Sequence, residues 1–447
     1  MAWMYTHTPT ICLFLVMYYL IVIMPILGET LTHSHSQVEP KSNCHRSSSP
    51  GLVIGPHRLE RVSRFEPCSP NANRTETPPS RKLLNRNQAR VHSINKKQNR
   101  HSYSYRLSDN GYDAINSDYG PFTVKISLGT PPQDYNLIVD TGSRWTWVRC
   151  QSCTEGCTSN DPPYDPSKSS CQGTLRNPFH VTYGDNSFIR GIWGCDTLNI
   201  DDLGNIANFQ FGCGQVNIDH DGENFVDAAG FLGLGKGDFS LASQSGTSMQ
   251  MFSYFVPENS GNGDLHFGDK AGAKSNTCSN QFVPLVQGDD QEKYYIDLVD
   301  ISVDGNKLNV PWTESTSRGT IIDSGTVITR LPEEVYTVFR DAFRQFMSSY
   351  TLLEQDPSEL LDTCYSLVGV EQFLLPEIKF HFGQESTIDV TLSKRGAIWK
   401  NSDTVSCLAF AATDNNGIIG IVQQRGFNVF YDLDGGRIGF GTNCAAS

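Results

Sequence analysis

Two short stretches of this 447-residue chain place a carboxylate where a charge is costly. In "NLIVDTGSRWTWV", Leu137, Ile138 and Val139 lead into Asp140, Thr141, Gly142 and Ser143. In "GTIIDSGTVI", Ile321 and Ile322 lead into Asp323, Ser324, Gly325 and Thr326, with Val327 and Ile328 behind. An unpaired charge is expensive to bury beside such apolar neighbours. Asp, Ser and Gly are also ordinary turn residues, so either stretch alone reads equally as a bland turn. The repetition decides between the readings. An apolar run followed by Asp-Thr/Ser-Gly-Ser/Thr occurs twice, which points to two halves that each deliver one carboxylate to a common place.

Two carboxylates within hydrogen-bond reach do not both ionise easily. Like charge raises one apparent pKa, while hydroxyls and backbone N–H groups lower the other, so the pair shares one proton. Such a pair can hold a water, one Asp acting as base and the other as acid toward a carbonyl. Gly142 and Gly325 let the two chains approach closely. The Ser143 and Thr326 hydroxyls are placed to donate to the outer carboxylate oxygens. This chemistry requires no metal and no cofactor, and neither is expected.

The elements that must position these residues read as strands. "FTVKISLG" (Phe122–Gly129) alternates and "TPPQ" turns the chain into "DYNLIVD". "FHVTYGDNS" (Phe179–Ser187) reads as a strand entering a hairpin, with Gly184, Asp185 and Asn186 as turn residues. "AAGFLGLG" (Ala228–Gly235) is apolar and Gly-rich, as expected where backbones approach closely. A second series follows: "YYIDLVDISVDG", then "GTIIDSGT", then a helix in "LPEEVYTVFRDAFRQFM". Pro332 stands where a first helical residue tolerates it, and Val335, Phe339, Phe343 and Phe346 form a core stripe. "GIIGIVQQRGFNVFYDL" echoes "GFLGLG". The same order occurs twice, as after a duplication giving two lobes.

Length and composition agree with two or three units of a globular, mainly β chain; hydrophobic residues make up 38%, charged residues 19%, and Gly numbers 39. Charge is unevenly distributed. From Glu29 to Ser108 there are 14 Lys and Arg against 5 Asp and Glu, while the chain as a whole carries −13. Residues 1–28 carry no formal charge, so the body from Asp109 carries about −22. Such a body repels phosphates and suits acidic solution, so no nucleic acid is expected for the mature form.

"ICLFLVMYYLIVIMPILG" (Ile11–Gly28) is an apolar run ended by Pro25 and Gly28, with no basic residue before it. It reads as a cleaved signal peptide, with an uncleaved anchor as the alternative. "NRT" (Asn73–Thr75) is a glycosylation sequon. Of the 13 cysteines, Cys12, Cys44 and Cys68 precede the body. The other ten form an even set: Cys150, Cys153, Cys157, Cys171, Cys195, Cys213, Cys278, Cys364, Cys407 and Cys444. A metal cluster of Cys150, Cys153 and Cys157 is the competing reading. With no His nearby, disulfides are expected, their connectivity not being readable from sequence. Residues from about 29 to 110 are polar and basic and cannot support a core. One helical patch stands out, "SRKLLNRNQARVHSINKK", with Leu83, Leu84, Ala89, Val91 and Ile94 as its apolar residues. The segment reads either as a solvated tail or as a removable prosegment whose charge complements the acidic body.

From about Phe122 to Cys444 the chain resembles a pepsin-family (A1) aspartic protease. "ISLGTPPQDYNLIVDTGS…W" is similar to that family's amino-lobe signature and "GTIIDSGT" to its carboxy-lobe signature. The resemblance implies an all-β, bilobal fold with the active-site cleft between two related lobes, and Asp140 and Asp323 as the catalytic pair. Thr141, Gly142, Ser143, Ser324, Gly325 and Thr326 would support the dyad. Tyr183 and Gly184 match the flap pair, and Trp147 the tryptophan that partners the flap tyrosine.

A narrower resemblance is to plant enzymes of the nepenthesin and chloroplast-nucleoid-DNA-binding-protein-like group, carried by "FGCGQ", "GTVITRLPEEVY", "LDTCYSL", "EPCSP" and "NQARVHSI". Several positions depart from that group: Arg144 and Trp145 replace an acidic and an aliphatic residue, Asn186 a flap Gly and Phe255 a cysteine, and Cys195 is extra.

The expected organisation is a signal peptide at 1–28, a basic prosegment at 29–110, an amino-terminal lobe with the flap at 111–285 and a carboxy-terminal lobe at 286–447. The expected partners are polypeptide substrates and the chain's own prosegment as inhibitor, with no stable membrane partner and a monomeric state. The expected destination is outside the cell (the apoplast), with the vacuole or chloroplast as alternatives. Two other functions compete. The fold also resembles that of plant xylanase inhibitors, which lost the dyad, and both aspartates here oppose that reading. DNA binding would need the basic segment to stay in the mature protein.

Overall fold

The computed structural model describes residues 122–444 with residues 58, 59, 84, 87, 88, 90, 91 and 94. Within the first range it leaves out 158, 160, 172–176, 184–186, 201, 219–227, 247, 248, 250, 259–262, 313–318, 355–359 and 384–387. The chain divides into residues 1–50 and 51–447, and every described residue lies in the second unit. The expected signal peptide, the sequon at Asn73, Cys12, Cys44, Cys68 and the flap residue Gly184 lie outside the described residues.

Alternation builds the first half. In the strand Thr123–Leu128, Val124, Ile126 and Leu128 are buried while Lys125 is exposed. It pairs antiparallel with Gln133–Asp140, from Thr123 opposite Ile138 to Leu128 opposite Gln133. The two belong to a seven-stranded sheet whose long hairpin, Phe188–Ile200 with Gly204–Ile218, folds back onto Thr123–Leu128. The second half holds two four-stranded sheets. A further eleven-stranded sheet draws on both halves: Met251–Phe255 lies beside Asn428–Asp432, and Ser279–Val286 beside Arg437–Thr442. The fold is therefore all-β and bilobal, as expected.

The duplication is visible in the pairing. Gln133–Asp140 lies parallel to Gly230–Gly233, with Asp140 opposite Gly233. Thr320–Ile322 lies parallel to Ile418–Ile419 in the same way. In each half the echoing strand is also crossed antiparallel by the strand that follows the Asp-containing turn, Trp147–Arg149 in one and Thr329–Pro332 in the other. Gly230 is required for this: a Cβ there would lie 1.8 Å from the Trp147 carbonyl oxygen.

The helix is Glu333–Phe346, with Val335, Tyr336, Phe339 and Phe343 buried. Two details differ from expectation. Pro332 ends the preceding strand and caps the helix rather than starting it. Phe346 is 37% exposed, because it ends the helix and Met347 takes over the burial. All ten body cysteines pair, as Cys150–Cys213, Cys153–Cys157, Cys171–Cys195, Cys278–Cys444 and Cys364–Cys407.

Two pieces of the basic segment join this body. Arg58–Leu59 adds a short antiparallel strand beside Gly263 and Asp264. Leu84, Asn87, Gln88, Arg90, Val91 and Ile94 are helical. Leu84 packs with Val327, Ile328, Leu361 and Trp399, and Val91 with Tyr295, Ile321 and Ile418. A solvated tail does not bury Leu84 and Val91 to 5% and 1% exposure.

Candidate active site

Both aspartates stand at strand ends with no exposed surface. Asp140 accepts hydrogen bonds from the Gly142 N–H at 2.9 Å and the Ser143 hydroxyl at 2.7 Å. Asp323 accepts from the Gly325 N–H at 2.8 Å and the Thr326 hydroxyl at 2.7 Å. The two turns also hold each other. The Thr141 N–H donates to Ser324 Oγ at 3.0 Å, and the Ser324 N–H donates to Thr141 Oγ1 at 2.9 Å. Ser324 Oγ donates onward to the Val139 carbonyl. A Cβ on Gly142 would meet Asp323 Oδ1 at 2.4 Å, and one on Gly325 would meet Asp140 Oδ1 at 2.6 Å. Glycine is thus needed twice for the carboxylates to converge.

The structure brings together every supporting residue read from the sequence around this pair. Tyr183 lies just beyond the strand Pro178–Thr182, at the base of the hairpin. Its hydroxyl accepts from Trp147 Nε1 at 2.7 Å, and both rings pack on Phe231.

Sequence reasoning missed Arg90. Its guanidinium spans the two aspartates, donating to Asp140 from Nη2 at 2.6 Å and Nη1 at 3.3 Å, and to Asp323 from Nε and Nη2, each at 3.1 Å. One guanidinium thus places its positive charge and four hydrogen bonds across both carboxylates. Burial pushes the Asp140 pKa up, but Arg90, the Ser143 hydroxyl and Lys293 outweigh it and hold the carboxyl below its ordinary value. The available signal was a helical stripe, Leu84, Val91 and Ile94, with an arginine at its border.

Lys293 was also missed. It is 7% exposed, and its ammonium donates to the Gly142 carbonyl. Burial lowers its pKa, while Asp323 and Asp140 act to raise it. Lys293 lines a pocket with Ser143, Trp145, Tyr183 and Ile94, beside an Arg144–Glu292 ion pair at 3.3 Å.

Two lobes, a duplicated crossing of strands and a pair of buried, mutually bonded Asp-Thr/Ser-Gly turns define the pepsin-like class. The eukaryotic aspartyl protease family profile matches residues 121–443, and the chain belongs to that family. It is similar to an aspartyl protease family protein of Arabidopsis thaliana, 32% identical over 93% of this chain and 94% of the relative. It is likewise similar to aspartyl protease AED1 of the same plant, 34% identical over 81% of each chain. Aspartic proteinase nepenthesin-2 of Nepenthes gracilis is 28% identical over 94% of each.

Proposed function

We propose that this aspartic endopeptidase is made as a locked precursor, in which Arg90 closes the site until acid and proteolysis remove residues 29–110. The carrying observation is the four-bonded bridge from Arg90 to Asp140 and Asp323. A guanidinium seated there occupies the place that an attacking water needs. The buried faces of Leu84 and Val91 and the edge strand Arg58–Leu59 support the same reading, because they seat the segment in the body.

Once Arg90 leaves, the two carboxylates lose the guanidinium between them and share one proton. One Asp takes a proton from the bound water as it attacks the scissile carbonyl. The other donates its proton to the carbonyl oxygen, and the tetrahedral intermediate collapses with proton transfer to the leaving amine. Asp140 and Asp323 are the catalytic residues. Thr141, Gly142, Ser143, Ser324, Gly325 and Thr326 hold them, and Tyr183 belongs to the flap that closes over substrate, held from the body by Trp147.

The sign of the pH effect follows from Asp140. Its pKa is depressed below the ordinary aspartate value of 3.8 while Arg90 is bound. The lock is therefore fully present above that value and is lost as pH falls through the depressed one. Secretion through an amino-terminal signal, to the apoplast, fits the cysteine pairing, since disulfides persist in oxidising compartments. We further propose a monomer without a nucleic-acid partner.

The test starts from purified full-length chain. It is acidified, followed by gel and amino-terminal sequencing, and assayed on denatured protein across pH with and without pepstatin. Processing near residue 110 with pepstatin-sensitive activity confined to acid is expected. A full-length chain that is stably active at neutral pH overturns the lock.

A further inference from the structure

Arg330 lies in the strand Thr329–Pro332 with no exposed surface. Its Nη2 donates to Asn87 Oδ1 at 3.2 Å, and that is its one hydrogen-bond partner among the described residues. Nε and Nη1 are buried with no partner among the described residues. A buried guanidinium carries five donors and is normally met by carboxylates or carbonyls. Its strand neighbours give it no carboxylate: Ala411 and Ile418 stand beside it in register. Burial pulls its pKa down to about 9 against an opposing effect of Tyr336, which leaves it charged in acid and in neutral solution.

The position of Asn87 matters as much as the missing partners. Asn87 is three residues from Arg90 on the same helical piece, so the side chain that meets Arg330 lies about one turn from the one that bridges the dyad. Removal of the prosegment would take away the Asn87 oxygen and leave Arg330 Nη2 without its acceptor as well.

We propose that Arg330 is a specificity-determining residue of the processed enzyme, forming a subsite for an acidic side chain of the polypeptide substrate where Asn87 sits in the precursor. The carboxylate would take the donors that Asn87 leaves unmet, in the paired geometry that guanidinium and carboxylate favour. An amide side chain offers one acceptor oxygen and no charge. The inference rests on the proposed removal of the prosegment, and the experiment separates the two.

Full-length chain is processed in acid, and the active species is identified by amino-terminal sequencing. It is then given matched peptides in which Gln is replaced by Glu at successive positions around the scissile bond. The assay is run at about pH 5, above the ordinary carboxylate value of about 4. At one position the wild type should favour Glu over Gln on the order of tenfold in kcat/KM, mainly through KM. The ratio should fall to about one in Arg330→Met, and Arg330→Lys should retain part of it. No Glu preference at any position, or a preference unchanged in Arg330→Met, overturns the proposal.

Should Arg330→Met fail to fold, a second measurement decides. A synthetic peptide of residues 80–97 and its Asn87→Asp form are compared as inhibitors of the wild type. The Asp form should bind on the order of tenfold tighter; equal or weaker binding overturns the subsite. If the unaltered peptide fails to inhibit, the prosegment reading falls, while the Glu-to-Gln ratio still decides the role of Arg330.

Discussion

At the scale of single residues, the dyad makes the sharpest prediction. Asp140→Asn and Asp323→Asn should each reduce turnover roughly 10³-fold or more, because residues acting as a unit fail together. Both variants should still melt cooperatively, and thermal melting beside peptide cleavage checks this. Substantial residual cleavage in either would mean the catalytic pair is wrongly assigned. Lys293 predicts a shift rather than a loss. Its charge helps to hold the Asp140 carboxyl low, so Lys293→Met should move the pH–rate profile of the processed enzyme toward neutral. A profile unmoved or displaced toward acid would contradict this. Arrangement alone does not make a nucleophile elsewhere. Ser302 Oγ lies 2.5 Å from His381 Nε2, and His381 Nδ1 lies 2.6 Å from Asp389, yet Ser302 is only 4% exposed and the chain ties neighbouring strands.

At the scale of elements, the two Asp-containing turns act as one joint. Thr141→Val removes the acceptor of the Ser324 N–H and leaves that buried donor unmet, which costs about 1–3 kcal/mol. Denaturant unfolding of the precursor measures it, and an unchanged midpoint would show that the joint bears no stability. The helical piece of the basic segment is the other element, the one proposed to lock the site. Arg90→Met keeps the apolar contacts of Leu84 and Val91 but removes all four bonds to the dyad. The precursor should then be released at higher pH than wild type, which acidification followed by gel electrophoresis would reveal. Release at an unchanged pH would show that packing, not the guanidinium, sets the lock.

At the scale of the whole molecule, charge divides the chain. A basic segment of about +9 precedes a body of about −22 in the sequence. Long-range attraction between them is screened by salt, whereas the partly buried Arg90 bridge is screened much less. Inhibition of processed enzyme by the 80–97 peptide should therefore weaken only modestly with added salt, as an inhibition assay across ionic strength would show. A steep loss would place the binding energy in surface charge.

The roles of Tyr183 and Trp147 were implied by the family resemblance; the two converging aspartates, their supporting Thr, Ser and Gly residues and the twofold order of elements were legible from the residues alone. Each is encoded locally: alternation makes the strand, and Asp-Thr/Ser-Gly makes the turn at its end. Even the fold class followed, since the same local pattern occurs twice and only paired lobes use both copies. Tertiary structure alone decided which cysteines pair, because Cys278 and Cys444 are 166 residues apart and nothing local joins them. It also decided the partners of Arg90, Lys293 and Arg330. A lone basic residue looks the same in sequence whether it faces solvent or a buried carboxylate. Its role is set by what the fold carries to it, across 50 residues from Arg90 to Asp140 and 233 to Asp323.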